Sequence, residues 1–201
     1  MANIGVLALQ GDFLEHESVL RRLGADVRQV RQFSDLAGLD GLVIPGGEST
    51  TFSRLIQDFG LFDPLNRLLQ DGVPAWGTCA GLILLAKRVD NLGFPTFGVL
   101  DVGVQRNGYG RQADSFESDI EVPALGPEDF HAVFIRAPVI SDVGGEVDVL
   151  ARLPAADGDS PVAVRQGNFL GTAFHPELTD DPRFHEYFLD IVASARRTAN
   201  V

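Results

Sequence analysis

Apolar and polar positions along the chain follow two rhythms. Apolar-rich runs at residues 3–9, 41–44 and 73–78 read as short strands, the first buried on both faces as in a parallel sheet, and residues 26–30 read as a further strand. Between them the spacing turns helical. Phe13, Val19, Leu20 and Leu23 mark one stripe, closed by Gly24. Ser34 is placed to cap a short helix through Leu39, and Ser49 or Thr50 to cap another that runs to Phe59. Asp63-Pro64 has the form of a cap followed by a proline at the first helical position, for a helix that stops at Gly72. Residues 3–87 therefore alternate strand and helix, which predicts an α/β fold whose parallel sheet is covered on both faces.

Beyond Asn91 the pattern changes. Residues 98–104, 118–122, 132–135 and 147–150 are short strand-like runs, and 162–165 and 169–174 flank a hairpin turn at Gln166-Gly167-Asn168. These predict antiparallel additions to the sheet in the C-terminal half. Asp181-Pro182 opens a last helix, in which Phe184, Tyr187, Phe188, Ile191 and Ala195 keep a helical stripe. With 201 residues, the chain is expected to form one domain spanning 1–201.

Charge narrows the possibilities. The net charge of −12 argues against nucleic acid and against an anionic membrane surface. No apolar run approaches the roughly 20 residues of a membrane helix, and the run at residues 4–9 is too short for a signal-peptide core. A single cysteine excludes an intrachain disulfide and a multi-cysteine metal cluster, and fits a reduced, cytoplasmic setting. No metal and no cofactor is indicated, and no lysine stands in a convincing Schiff-base setting.

That cysteine, Cys79, sits between Gly77 and Gly81 where a buried strand turns into an apolar helix. A residue on such a turn projects away from the sheet. The following backbone N–H groups, and the positive helix end, face whatever it attacks. The other reading is a buried structural cysteine. A thiol nucleophile needs a base, and the base needs an orienting acceptor. Of His16, His131, His175 and His185, only His175 follows a buried strand directly, in His175-Pro176-Glu177. Proline forces extended backbone there, so Glu177 falls on the side of His175 and can hold its imidazole. The loops at Gln10, Gly46-Gly47 and Cys79 all follow strands, so they meet at the carboxyl edge of the sheet, where such folds bind ligands.

Gly-Thr-Cys-Ala-Gly at the turn, with His-Pro-Glu near the C-terminus, resembles the class I, triad-type glutamine amidotransferases. Four further stretches resemble, within that class, the glutaminase subunits of pyridoxal 5′-phosphate synthase. They are residues 5–13 with Glu15-His16; Pro45-Gly46-Gly47-Glu48-Ser49-Thr50; Arg106-Asn107-x-Tyr109-Gly110-Arg111-Gln112; and Phe134-Ile135-Arg136-Ala137-Pro138. Leu82 departs from the methionine expected after the elbow glycine. The resemblance implies a three-layer, flavodoxin-like fold and hydrolysis of L-glutamine to glutamate and ammonia through a Cys79 thioester. His175 would be the base and Glu177 its orienter. Ala80 and Gly47 would supply the oxyanion N–H groups, Ala80 also by its place on the elbow. Gly47, Glu48, Ser49, Arg106, Ile135 and Arg136 would line the glutamine pocket, with Glu48 suited to the ammonium and Arg106 to the carboxylate. The ammonia would pass to a synthase subunit in a large hetero-oligomer, with residues 10–17 at the contact.

Two other functions are compatible with the residues: a different cysteine hydrolase on the same sheet, such as a peptidase, or a regulatory subunit with a vestigial site. The acidic and basic residues of the pocket set favour a small amino-acid substrate over a peptide. A complete Cys79, His175 and Glu177 speaks against decay.

Overall fold

A computed structural model describes residues 1–90, 93–106 and 115–199. In chain order the first half contains β1 (Asn3–Leu7), α1 (Phe13–Arg22), β2 (Asp26–Val30), β3 (Gly41–Ile44), α2 (Ser49–Asp58), α3 (Phe62–Gln70), β4 (Ala75–Thr78) and α4 (Ala80–Leu85). The second half contains β5 (Ala86–Val89), β6 (Leu100–Gln105), β7 (Ser115–Ile120), β8 (Phe130–Ile135), β9 (Val139–Val143), β10 (Asp148–Arg152), β11 (Pro161–Gln166), β12 (Phe169–Thr172) and α5 (Arg183–Ala199). Among the described residues no helix is long and apolar enough to cross a membrane.

The main sheet has the order β10-β11-β12-β4-β3-β1-β2. Its strands β2, β1, β3, β4 and β12 run parallel, β11 is antiparallel to β12, and β10 to β11. Every residue of β3 and β4 is buried. Successive side chains point to opposite faces, so both faces are covered, as the unbroken apolar runs require. From β1 the chain goes to β2 on one side and β3 on the other. The loops after β1 and β3 therefore open a crevice between them, and ligands bind at such a switch point.

The antiparallel additions are only partly as expected. β10 and β11 do join the main sheet, and Gly167 (φ 56) makes the hairpin turn between β11 and β12. β12 itself inserts parallel to β4, in the sheet interior. The remaining strands form a separate sheet, β5-β6-β9, and a separate hairpin, β7-β8. β5 and β9 have no counterpart in the sequence expectations, since each is short and half exposed and lacks a clear apolar run. Arg88 ties this smaller sheet together by pairing with both Asp101 and Asp142.

Three helix caps also differ from expectation. Glu48 caps α2 in place of Ser49 or Thr50: its carboxylate accepts from the backbone N–H groups of Thr50 and Thr51 at 3.0 and 2.7 Å. A longer side chain reaches two N–H groups that a serine could not satisfy together. At residues 33–36 the cap is Gln32, and the Asp35 carboxylate reaches back to the Arg31 and Gln32 N–H groups; Ser34 lies inside the turn. α3 begins two residues early, so Asp63 lies in its first turn, with Leu61 at the cap. Its charge still favours the helix N-terminus. At the start of α5 the Asp181 carboxylate does accept from the Arg183 N–H, at 3.0 Å.

The core runs continuously from Ile4 in β1 to Val192 in α5. Its aromatic part joins Trp76 of β4, Phe130 and Phe134 of β8, Phe174 after β12, and Phe184 and Phe188 of α5. This cluster anchors the segment that leads into His175. On the opposite side of β4, the helix α4 lies so close to β3 that a Cβ on Gly81 would stand 1.9 Å from the Ile44 carbonyl oxygen.

Two stability effects follow. Gly81→Ala forces backbone apart and is expected to cost about 1–3 kcal/mol in chemical denaturation. Gly145→Ala, with nothing within 4 Å of the added carbon, is expected to be neutral. Glu48→Ala removes the α2 cap, a loss of about 1 kcal/mol at neutral pH. The backbone N–H bonds from Thr50 and Thr51 outweigh the effect of burial and lower the Glu48 carboxyl from 4.5 to about 2. The contribution is thus complete above pH 4.5 and lost as pH falls toward 2, and the gap between variant and native should close over that range.

Candidate active site

Cys79 follows β4 directly and precedes the first residue of α4. Its backbone is held at φ 47, ψ −101, a region that side chains rarely occupy. Two contacts enforce this. The Cys79 N–H donates to the Thr172 carbonyl of β12 at 2.8 Å, and α4 is pressed onto β3 through Gly81. The thiol emerges at the floor of a cleft and lies 3.9 Å from the Ile135 carbonyl oxygen, to which it can donate.

The cleft has a volume of about 390 Å³. It is lined by Gln10, Gly11 and Asp12 after β1, by Gly47, Glu48 and Ser49 after β3, and by Cys79, Ala80 and Ile83 at the elbow. Arg106, Ile135, Arg136 and His175 complete it from the second half of the chain. Every residue expected from the sequence at the catalytic or glutamine-binding positions is on this wall, apart from Glu177, which is buried behind His175. Asn107 to Gln112 of the third motif lie outside the described residues. A larger groove, about 560 Å³, runs past Asp119, Asp129 and Arg152, and no cysteine, serine or histidine lines it.

His175 is oriented from behind. Its Nδ1 lies 2.7 Å from Glu177 Oε1 and 3.3 Å from Asp12 Oδ2. With Nδ1–H donating to carboxylate, Nε2 carries the lone pair and is the nitrogen left for the Cys79 thiol. Burial lowers the imidazole pKa, but hydrogen bonds with Asp12, Cys79 and Glu177 outweigh it and raise the value above 6.5. Burial raises the Glu177 carboxyl, and the His175 hydrogen bond pulls it back. The His175 N–H donates to the Val133 carbonyl at 2.9 Å, which fixes β8 against the base and brings Ile135 and Arg136 to the cleft. Arg136 itself adopts φ 43, a second strained position beside the thiol.

The Gly46-Gly47 segment runs under Gln10. A Cβ on Gly47 would stand 2.2 Å from Gln10 Nε2, and a Cβ on Gly46 would stand 2.3 Å from His175 Cε1. Gln10 Oε1 accepts the Glu48 N–H at 3.2 Å. Arg106 donates to Thr50 Oγ1 at 3.0 Å and lies 3.5 Å from Glu48 Oε1, so the acid and base of the cleft face each other across its mouth.

Several residues at the site were given no catalytic or glutamine-binding role in the sequence, among them Gln10 and Gly11 in the cleft wall. Asp12 contacts the base, Ile83 lines the cleft, and His16 lies 3.3 Å behind Glu177. Asp12 stands at the N-cap of α1 and His16 lies one turn into it, and this spacing of four could have marked them together. Asp12, His175 and Glu177 also bring three possible metal ligands within 4.8 Å of one another. The imidazole nitrogen a cation would need is the one donated to Glu177.

Comparison with known proteins agrees with this geometry. Residues 6–194 match the model of the SNO glutamine amidotransferase family. A protein of Thermus thermophilus named pyridoxal 5′-phosphate synthase subunit PdxT is 54% identical over 192 residues, covering 94% of this chain and 96% of that protein. A protein of the same name from Halalkalibacterium halodurans is 51% identical over 199 residues, 99% of each chain. A crystal structure of a glutamine amidotransferase superposes with a TM-score of 0.86 at 50% identity, over 94% of this chain and 98% of that one. A chain in the structure of PurLQS from Thermotoga maritima shares the fold at 16% identity, with a TM-score of 0.67 over 94% of this chain and 98% of that one. A match of this length, on a chain whose elbow cysteine, buried histidine and glycine strap meet in one cleft, leaves one conclusion: the chain belongs to the SNO glutamine amidotransferase family.

Proposed function

We propose that residues 1–201 act as one glutaminase domain, which hydrolyses L-glutamine to L-glutamate and ammonia and hands the ammonia to a synthase subunit that makes pyridoxal 5′-phosphate. The observation that carries this reading is the strained Cys79 at the floor of a cleft of amino-acid size, with His175 and buried Glu177 aligned behind it.

The steps follow from the groups present. Cys79 Sγ attacks the side-chain amide carbon of glutamine while His175 Nε2 takes the thiol proton. The oxyanion forms against the Ala80 and Gly47 N–H groups, each such donor being worth roughly 10²–10³ in rate. Collapse of the tetrahedral species breaks the C–N bond, and His175 gives its proton to the departing ammonia. Water then attacks the thioester, and His175 takes a proton from it. Breaking the C–S bond releases glutamate, and the proton returns to Sγ. Glu177 keeps Nδ1–H engaged throughout, which fixes the tautomer and favours the imidazolium that forms twice per cycle.

Glu48 suits the substrate ammonium. Its carboxylate is anionic and half exposed, and a carboxylate has lone pairs beyond those used in capping α2. Arg106 and Arg136 suit the substrate carboxylate, and Ser49 and Ile135 bound the pocket. A volume of about 390 Å³ fits an amino acid better than a peptide. The relatives named as subunits of pyridoxal 5′-phosphate synthase support the synthase partner. The loop after β1 and the start of α1, where Leu14 is 57% exposed, offer it a contact beside the cleft.

Ammonia release from glutamine, measured for this chain alone and with the synthase subunit, tests the reading. Activity should appear or rise with the partner, and Cys79→Ser should lower it by at least about 10³-fold. No ammonia in either state would overturn the proposal. Glu15→Arg, at the proposed contact, should weaken assembly with the synthase subunit in analytical ultracentrifugation, and undiminished assembly would remove residues 10–17 from the interface.

A further inference from the structure

Behind Glu177 a line of buried polar side chains continues away from the cleft, and the reaction above uses none of it. Glu177 Oε1 is taken by His175. Oε2 is buried and makes no aligned hydrogen bond among the described residues, while His16 Nε2 lies at an ion-pair distance of 3.3 Å. The same nitrogen lies 3.2 Å from Thr78 Oγ1. On the other side of the ring, His16 Nδ1 is 3.0 Å from His185 Nε2. His185 Nδ1 has no partner among the described residues. Thr78, His16 and His185 are wholly buried. Trp76, the only tryptophan in the chain, stands edge-on to both rings, at 5.3 Å from His16 and 4.8 Å from His185.

Burial favours the neutral form of both rings. Burial, reinforced by His185 and His175, lowers His16 well below 6.5. Burial, reinforced by Arg22, lowers His185 to about 3. A neutral imidazole has one N–H and one lone pair, so the pair has two consistent arrangements. If His16 carried its proton on Nδ1 and donated to His185 Nε2, His185 would hold an N–H with no acceptor in the core. The His16 lone pair would then face the Glu177 carboxylate. If instead His185 Nε2–H donates to His16 Nδ1, the unpartnered His185 atom is only a lone pair, and His16 Nε2–H faces Glu177 Oε2 and Thr78 Oγ1. The second arrangement avoids a buried orphan donor and a repulsion between acceptors.

We infer that His16 is a positioning residue of the catalytic carboxylate: its Nε2–H, fixed in that tautomer by His185, holds Glu177 against His175. This rests on the glutaminase reading above. It explains why His16, one of four histidines that could have been the base, faces the back of the carboxylate and not the thiol. It also gives α1 two holds on the site, because Asp12 at its start contacts His175. The titratable and charged groups around Glu177 are His175 on its own segment, Asp12 before α1, His16, Glu15 and Arg22 of α1, Asp180, and Cys79 across the His175 ring. His185 of α5, with Arg22 near it, stands behind His16. Of these, His16 brings the ring nitrogen that stands nearest Oε2, at 3.3 Å, beside its contact with Thr78 Oγ1. Without it Oε2 has no N–H to favour its charge, and the carboxyl should protonate at higher pH.

The test compares His16→Leu and His16→Gln in complex with the synthase subunit. Leucine should lower kcat about 10–100-fold, the usual size of an outer-shell loss, leave the KM for glutamine unchanged, and move the acid limb of the kcat–pH profile upward. Glutamine, which keeps an amide N–H within reach, should recover most of kcat and the native acid limb. Native kcat in the leucine variant, or equal losses in both variants with an unmoved acid limb, would overturn the inference. Should the leucine variant not fold, nitrogen NMR of the native imidazoles decides. A neutral His16 protonated on Nε2 is expected, and an Nδ1–H tautomer or a titrating His16 overturns the inference. That readout needs no turnover, so a native protein that releases no ammonia would sink the glutaminase reading alone.

Discussion

A helix laid against a strand with only glycine between them is the contact that holds the site in shape. Gly81 brings α4 onto the Ile44 carbonyl, and Gly77 leaves room for the same approach one strand further on. The chain between them has three residues to turn from strand to helix, and Cys79 takes the strained conformation that results. The strain persists because the elbow is braced on both sides, by β3 through Gly81 and by β12 through the bond from the Cys79 N–H to Thr172. β12 leads on to His175 within three residues. Cys79 and His175 are therefore positioned by one pair of parallel strands, and neither can shift without disturbing the sheet.

The electrostatics follow from burial. An isolated carboxylate at the depth of Glu177 would be costly, and it is tolerated because His175 faces one oxygen and His16 the other. The buried His16 and His185, whose neutral forms burial favours, continue the line into the core. At the mouth of the cleft the opposite arrangement holds: Glu48 and Arg106 are partly exposed, paired only loosely at 3.5 Å, and open to exchange partners with a zwitterionic ligand. The polar groups behind the thiol are thus buried, and those at the mouth of the cleft are open to solvent.

The two halves of the chain divide this work. The parallel half contributes the elbow, the glycine strap and the first loop, all at the carboxyl ends of strands. The second half contributes the base, through a strand that returns to the centre of the sheet, and the wall formed by Arg106, Ile135 and Arg136. The aromatic cluster around Phe134, Phe174 and Phe184 joins them, since it packs the hairpin and α5 under the segment leading into His175.

The order of the residues alone dictates the alternating first half, the elbow, and the pairing of Cys79 with His175 and Glu177. Each of these is written locally: in unbroken apolar runs, in glycines at fixed offsets, and in the proline that keeps His175 and Glu177 on one side. It does not show that β12 inserts beside β4, that β5, β6 and β9 form a sheet of their own, or that Glu48 caps α2, because strand neighbours and caps are chosen by packing across the whole chain. The same holds for Asp12 and His16. Their spacing places them one helical turn apart at the start of α1, but only the packing of α1 against residues 176–178 puts them against His175 and Glu177. A side chain's role here comes from what lies within about 3 Å of it, and for groups more than 150 residues apart, such as His16 and Glu177, only the folded core supplies that neighbour.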